Sequence, residues 1–448
     1  MSDALLALSR NPMARGLIRG LGLPTPVSLQ RASGSVGLRP LDGLRVMSNA
    51  NAGSDIGRRL GSILTDAGAA LIPASESSAV AVDALLFDAS GMREIAQSHD
   101  LYAFFHSRLA TLSANGRVVL IARDPGACDT PEAAALARGC EGFVRSLAKE
   151  VGRRGATANL IYLGLHAEDR LDGPLRYLLS ARSAFVSGQP ISVSAAVSSQ
   201  ATHASLHGKL ALVTGAAQGL GAAIAQRLAE EGAQVLCVDI PASAQALEAT
   251  SGRVGGTALG MDVTGEDACA RIVDRLQQLQ GGVDIVVHNA GVIRDRTLAK
   301  MDATRWSQCM AVNLDAILRI DAALLDADLL RDDGRVICLS SIAGVAGNVG
   351  QTNYAMTKAA LIGYVAAQAR RLAARGITVN AVAPGLIETP MMMTMPFLFR
   401  EVARRMNSLS QAGIPADIAD AVGFLVAPDA LGVSGQTLRV CGQNLLGA

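Results

Sequence analysis

At 448 residues, half of them apolar and 18% charged, with a formal net charge of +1, the chain has the length and composition of a globular protein with two or three domains. The balanced charge gives no footing for nucleic-acid binding, and no run approaches the ~18 uninterrupted apolar residues of a spanning helix. Seven scattered Cys, without a C-x-x-C pair or a His/Cys cluster, argue against a metal site and for a reducing, cytoplasmic setting.

Residues 1–40 read as a helical or irregular arm. Its apolar residues are interrupted by Arg10, Arg15 and Arg19, so it lacks the unbroken apolar core of a signal peptide. It is expected to rest on the body of the protein or on a membrane surface. From Leu44 the pattern alternates. Apolar runs at 69–72, 80–87 and 116–122 read as strands, and 55–67 and 132–153 read as helices. Such alternation predicts a parallel sheet covered by helices on both faces. Residues 194–205 are small and polar and read as a linker. A second alternating unit starts at Lys209. The predicted organisation is an arm (1–40), a first domain (41–193), a linker (194–207) and a second domain (208–448). The fold class is α/β, with two doubly wound, Rossmann-like parallel sheets.

The two units resemble each other. Gly142-Phe143-Val144 through Arg154-Gly155-Ala156-Thr157-Ala158-Asn159 aligns with Gly363-Tyr364-Val365 through Arg375-Gly376-Ile377-Thr378-Val379-Asn380 at a constant offset of 221. Gly116-Arg117-Val118 matches Gly334-Arg335-Val336, and Asp83-Ala84-Leu85-Leu86 matches Asp284-Ile285-Val286-Val287. Two copies of one domain are the simplest account.

In the second unit, 209–214 reads as a first strand. It enters T-G-A-A-Q-G-L-G (214–221) and then a helical pattern at 222–231. Gly215, Gly219 and Gly221, with Gln218 and Leu220 between them, let the backbone turn tightly and approach a pyrophosphate. The helix N-terminus behind them supplies amide donors. A lone glycine triplet is weak evidence, but a strand before it and a helix after it make it strong. The second strand, 234–238, ends in Asp239, 18 residues after Gly221. A carboxylate there accepts hydrogen bonds from both ribose hydroxyls of NAD and repels the 2′-phosphate of NADP. Gln218 offers that phosphate no positive charge. The pattern favours NAD(H) over NADP(H). Asp262 and Val263 follow a further strand-like run and are placed at the adenine edge. Asn289, Ala290 and Gly291 end the strand 284–288, where small residues leave room for the cofactor. In the first unit the corresponding loop is Asn51 to Gly57. Gly215 and Gly219 map to Asn51 and Asp55, only Gly57 persists, and no dinucleotide is expected there.

The stretch 340–358 carries the chemistry. Ser341 follows the apolar run 335–339, and Tyr354 and Lys358 stand four apart on one helix face. A phenol of pKa about 10 is a poor acid–base group at neutral pH, and a neighbouring ammonium is expected to lower it. A Ser hydroxyl beside it can hold a substrate oxygen. Alone, Y-x-x-x-K is more often a feature of an ordinary amphipathic helix; the nucleotide loop in the same unit decides for chemistry. In the first unit Tyr354 falls on Ala133, Lys358 on Ala137 and Ser341 near Arg123, so that unit is read as a partner domain without this chemistry.

These residues resemble the short-chain dehydrogenase/reductase family over 208–448: T-G-x-x-x-G-x-G, N-A-G, Asn313, Ser341, Y-x-x-x-K and Pro384-Gly385. The second unit is most similar to 3-oxoacyl-(acyl-carrier-protein) reductases, in Asn353-Tyr354-Ala355, in 375–380 and in 383–389. The long chain resembles their high-molecular-weight branch, NADH-using reductases whose first domain is degenerate and flavodoxin-like. The resemblance implies that Tyr354 donates a proton to the carbonyl oxygen and that Lys358 lowers its pKa and binds the nicotinamide ribose. It implies that Ser341 holds the substrate oxygen, that Asn313 positions a relay water, and that Ile387 and Thr389 contact the nicotinamide end. The implied substrate is a 3-oxoacyl thioester, carried by coenzyme A or by acyl carrier protein, with another secondary alcohol or ketone as the alternative within the family. Arg375 stands at a carrier-docking position, whereas Arg331-Asp332-Asp333 is more acidic than such a surface usually is. The family's habit of pairing through its long helices implies a homodimer that mimics a tetramer of single domains. After Thr389, a Met- and Phe-rich segment (391–399) reads as a lid for an acyl chain or as a packing surface. Arg400, Arg404 and Arg405 either meet phosphate or stand in solvent.

Overall fold

Near-continuous apolar strands need cover on both faces, and helices supply it in both halves of the chain. The computed structural model describes residues 3–9, 11–20, 25–50, 53–73, 80–197, 205–390, 392 and 397–444. The chain forms two compact units. The first comprises Met1–Ala195, Met391–Gly413 and Val440–Leu445; the second comprises Ala196–Pro390 and Ile414–Arg439.

The first unit begins with two short helices, α1 (Ala4–Ser9) and α2 (Pro12–Gly20). Its sheet is built from β1 (Arg45–Ser48), β2 (Ala70–Pro73), β3 (Val82–Ala89), β4 (Leu112–Arg123), β5 (Thr157–Leu163) and β6 (Pro190–Val193), in the order β2-β1-β3-β4-β5-β6 and parallel throughout. Helices α3 (Asp55–Asp66), α4 (Ser98–Arg108), α5 (Pro131–Gly152) and α6 (Asp172–Leu179) accompany it. Aromatic rings fill one side of this core. Phe87 meets Phe104 and Phe105 at centroid distances of 5.3 and 5.9 Å, and Phe105 meets Phe143 at 5.3 Å.

The second unit has β7 (Leu210–Thr214), β8 (Gln234–Asp239), β9 (Thr257–Gly260), β10 (Val283–His288), β11 (Leu330–Leu339), β12 (Thr378–Pro384) and β13 (Thr437–Val440), ordered β13-β12-β11-β10-β7-β8-β9. Its helices up to residue 372 are α7 (Gly219–Glu230), α8 (Ala244–Arg253), α9 (Ala268–Leu279), α10 (Ala303–Met310), α11 (Ala316–Asp326), α12 (Ile342–Ala346) and α13 (Thr352–Leu372). The two sheets differ at one edge. In the first unit β2 ends at Pro73 and β3 begins at Val82, whereas the second runs from Asp239 to Val283 through α8, β9 and α9. Lacking that piece, the first unit has the 2-1-3-4-5 order of a flavodoxin-like sheet.

Residues 397–413 and 440–444, read in sequence as part of the second domain, pack with the first unit. Hydrogen bonds explain this. Gln411 Nε2 donates to Val27 O (2.8 Å), Gly442 N to Phe185 O (2.9 Å) and Gln443 Nε2 to Arg145 O (2.6 Å). Helix α14 (Phe397–Arg405) lies in this segment, with Arg400 and Arg404 buried and Phe397, Leu398, Phe399 and Val402 exposed. Arg405 pairs with Asp3 at 2.5 Å. None of the three arginines is the solvated cation that the sequence left open. Most of the Met-rich part of the expected lid, Met391 and 393–396, lies outside the described residues, as do Asn51 and most of the linker. Among the described residues no helix is long and apolar enough to cross a membrane.

The duplication extends to side-chain braces. Asn159 on β5 donates to Val186 O (2.9 Å) and accepts from Gln189 N (3.1 Å); Asn380 on β12 donates to Val433 O (2.8 Å) and accepts from Gln436 N (3.1 Å). Arg117 and Arg335 both turn back onto their own strand entry, donating to Asn115 O (2.8 Å) and Asp333 O (2.7 Å), and those two acceptor residues share positive φ angles of 60° and 57°. Truncating either Asn leaves a buried N–H and a buried carbonyl unpaired. Asn159→Ala and Asn380→Ala should each cost about 2–4 kcal/mol in urea unfolding. A cost within ~0.5 kcal/mol of zero, typical of surface changes, contradicts the brace.

Candidate active site

Strands β7 and β10 are neighbours although β8 and β9 intervene in sequence. The winding reverses there and opens a crevice at the C-terminal strand ends. The glycine loop leaves β7 at this point. Gly215 has φ +67°, and a Cβ on Gly221 would lie 1.9 Å from Gly215 O, so only glycine closes the turn. Gly219 opens α7 at φ +61°, with nothing within 4 Å of the space a Cβ would fill. Bare backbone at a helix N-terminus is a cradle that fits a pyrophosphate. Gln218 caps this helix by position only and is exposed; Leu220 is half-buried.

Asp239 stands at the end of β8. Its Oδ2 accepts from Ala217 N and its Oδ1 from Ile240 N, each at 2.8 Å, which fixes the carboxylate while leaving lone pairs on both oxygens. Asp262 is exposed, and its Oδ1 accepts from Thr264 N and Thr264 Oγ1 (2.9 and 2.8 Å). Val263 is buried in the core, so only its backbone is available to a ligand. Asn289, read as spacing for the cofactor, acts as a brace: its Nδ2 donates to Thr214 O (3.1 Å) and Gly215 O (2.9 Å). Thr214 Oγ1 accepts from Asn289 N and Ala290 N, both at 3.1 Å. A Cβ on Gly291 would come within 3.3 Å of Asn313 Oδ1 and 3.5 Å of Lys358 Nζ. Its bareness keeps the nucleotide loop open toward the acid–base group. Ile387, beyond the end of β12, is buried, and Thr389 is half-buried.

The acid–base residues converge from three elements. Ser341 follows the end of β11 and caps α12, accepting from Ala343 N at 3.1 Å. Tyr354 and Lys358 lie one turn apart on α13. Lys358 Nζ is 5.6 Å from the Tyr354 ring centroid and donates to Leu339 O at 2.7 Å. Asn313 sits in a wide π-helical turn, Ala311–Asp315, rather than in a regular helix. Its side chain is fully buried. Oδ1 accepts from Val292 N (2.7 Å), and Nδ2 donates to Val292 O (3.0 Å) and Thr357 Oγ1 (3.3 Å).

Burial governs the proton affinities. Desolvation of Lys358 discourages its ammonium and brings its pKa down to about 8. Desolvation also pushes the Tyr354 phenol up; the Ser341 hydrogen bond pulls it down, and the charges of Cys309 and Asp295 push it up again. This corrects the sequence expectation that the ammonium sets the phenol's pKa. Lys358 is aimed at the Leu339 carbonyl, and loss of water around the phenol is the larger effect.

Sequence reasoning missed Thr214, Thr357, Cys309 and Asp295. Thr357 lies between Tyr354 and Lys358, and a buried polar residue inside a catalytic turn was a legible signal. The other three show themselves only through tertiary contacts. In the first unit the counterparts Ala133 and Ala137 are buried, Arg123 donates to Gly164 O (3.0 Å), and Asp55 begins α3 paired with Arg58. An acid carboxylate at that helix start opposes a phosphate.

A family model described as enoyl-(acyl carrier protein) reductase matches residues 215–442, just over half of the chain. The chain is 40% identical over 237 residues to the 3-oxoacyl-[acyl-carrier-protein] reductase FabG of Vibrio cholerae, covering 53% of this chain and 97% of that protein. It is 41% identical over 243 residues to the enzyme of that name from Pseudomonas aeruginosa (53% and 98%) and 39% identical over 237 residues to that of Escherichia coli (52% and 96%).

The buried lysine makes stability depend on pH. Its folded pKa of about 8 lies below the ordinary 10.5. Between those values the unfolded chain holds more protons than the folded one, so stability rises with pH. Denaturant unfolding from pH 8 to 10 should show this rise in the parent and lack it in Lys358→Met. An equal rise in both assigns it to other groups.

Proposed function

Because the chain belongs to the short-chain dehydrogenase/reductase family, we propose that its second unit reduces 3-oxoacyl thioesters to 3-hydroxyacyl thioesters with NADH. The observation that carries this reading is the gathering of Ser341, Tyr354, Lys358 and Asn313 at the end of the crevice that begins with the glycine loop.

The Ser341 hydroxyl donates to the substrate's 3-oxo oxygen and holds it at the Tyr354 hydroxyl. Tyr354 gives that oxygen its proton as the carbonyl carbon is reduced. Lys358, charged below about pH 8, steadies the phenolate that Tyr354 leaves behind. NADH supplies the hydride when bound. Asn313 fixes the backbone of Val292 and the wide turn against Thr357, which keeps the wall beside Lys358 in place. Gly215, Gly219 and Gly221 would hold the pyrophosphate, and Asp239 the adenosine ribose. The Asp239 carboxylate, together with the uncharged Gln218, supports NADH over NADPH.

Arg375 bears on the thioester's carrier. It is engaged by Asp332 (2.7 Å) and Asp328 (3.5 Å) and donates to Leu330 O (2.6 Å). A guanidinium already matched by two carboxylates has little attraction left for an acidic carrier protein, which supports acyl-CoA as the substrate. The duplicated unit supports assembly of two chains into a dimer with four doubly wound units. Sedimentation at micromolar concentration should give the mass of two chains, and a single-chain mass contradicts it.

Steady-state assays with acetoacetyl-CoA, longer 3-oxoacyl-CoA and the carrier-bound forms test the reading. NADH oxidation with the CoA thioesters is expected, and the absence of turnover with every thioester overturns it. NADH should exceed NADPH in kcat/KM by at least ~10-fold, the worth of one charged contact, and Asp239→Ala should narrow that gap.

A further inference from the structure

Two loops border Tyr354, and they are fastened to one another. The loop after β10 carries Arg294, Asp295 and Arg296; the loop after α12 carries Asn348 to Gln351 and leads directly into α13. Arg296 N donates to Gly350 O (2.8 Å), Gln351 Nε2 donates to Asp295 Oδ2 (2.8 Å), and Asn353 Nδ2 donates to Arg294 O (3.1 Å). Asn348 Nδ2 donates in turn to Gln351 Oε1 (3.0 Å), which orients the Gln351 amide toward Asp295. These bonds hold a carboxylate beside the first turn of the helix that bears Tyr354. The neighbouring cation Arg294 is directed elsewhere, its Nε donating to Gln308 Oε1 at 2.8 Å.

We propose that Asp295 is a positioning residue of the active site: fixed by the two fastened loops, its negative charge adds to burial in keeping the Tyr354 phenol protonated and therefore able to act as the proton donor. The inference rests on the reading of Tyr354 as that donor. Around the phenol stand Lys358 from the same helix, Ser341 from the end of β11, Cys309 from α10 and Asp295 from the loop. The Ser341 hydrogen bond favours the phenolate, and Asp295 is the carboxylate that opposes it. Burial raises the Asp295 carboxyl above the ordinary carboxylate value, and the Gln351 hydrogen bond pulls it back down. A reductase needs its donor protonated, so a negative charge held near the phenol extends the pH range over which reduction proceeds.

The test uses two substitutions that separate charge from shape. Asp295→Asn retains an oxygen that can accept from Gln351 and removes the charge; Asp295→Glu retains the charge. Both lie on a solvent-facing loop, and circular dichroism with thermal unfolding checks that the fold is intact. The alkaline limb of kcat/KM for NADH oxidation by acetoacetyl-CoA should move to lower pH in Asp295→Asn by about half a unit, the scale of one nearby charge in mostly aqueous surroundings. It should stay near the parent's position in Asp295→Glu. The gap between the two variants should shrink at 1 M salt, where screening acts within about 3 Å. A purely structural role would lower kcat/KM in both variants without moving the limb and without salt dependence. A limb in Asp295→Asn that coincides with the parent's, while Tyr354→Phe abolishes turnover, overturns the role of Asp295 alone. Full turnover by Tyr354→Phe overturns the donor assignment, and this inference with it.

Discussion

A lysine ammonium held away from water is the constraint around which the second unit is arranged. Lys358 is 4% exposed, and bringing its pKa from 10.5 to about 8 corresponds to roughly 3 kcal/mol against the charged form. The surroundings offset part of this. Leu339 O at the end of β11 accepts from Nζ, and Ser340 Oγ donates to the Lys358 carbonyl at 2.7 Å, binding α13 to the same strand end. The strand that leads into Ser341 therefore also fixes the helix that carries Tyr354. Asn313, in the wide turn before α11, donates to Thr357 on α13 and closes the arrangement. Each contact that keeps the lysine in place also sets the position of a group needed for proton transfer.

The two units show which features belong to folding and which to chemistry. The Asn159 and Asn380 braces, the turned-back Arg117 and Arg335, and the strand order through β1-β3-β4-β5 are shared. The first unit keeps these and has Ala133 and Ala137 where the second has Tyr354 and Lys358. Aromatic packing of Phe87, Phe105 and Phe143 stabilises its core. It keeps the parts that make a doubly wound sheet fold and lacks the glycine loop and the acid–base pair.

Much of this was legible in the amino-acid sequence because period and spacing encode it. The buried strands from Leu210 and Arg335, the Gly215–Gly221 turn and the shared helix face of Tyr354 and Lys358 follow from apolar runs, glycine spacing and the helical repeat. Three things were not legible. The packing of 397–413 with the first unit depends on long-range bonds such as Gln411 to Val27. The buried face of α14 carries Arg400 and Arg404 while its apolar residues face outward, the reverse of the usual pattern. The balance of proton affinities depends on how completely Tyr354 and Lys358 are desolvated, and a spacing rule carries no information about depth.

The most direct measurement is the single-turnover rate of NADH oxidation by a 3-oxoacyl-CoA in Tyr354→Phe, read beside the variant's affinity for NADH by fluorescence titration. The account predicts a rate lower by about 10²-fold or more, the usual contribution of a placed proton donor, with affinity for NADH little changed. A rate equal to the parent's would show that the proton comes from elsewhere and would contradict the account at its centre.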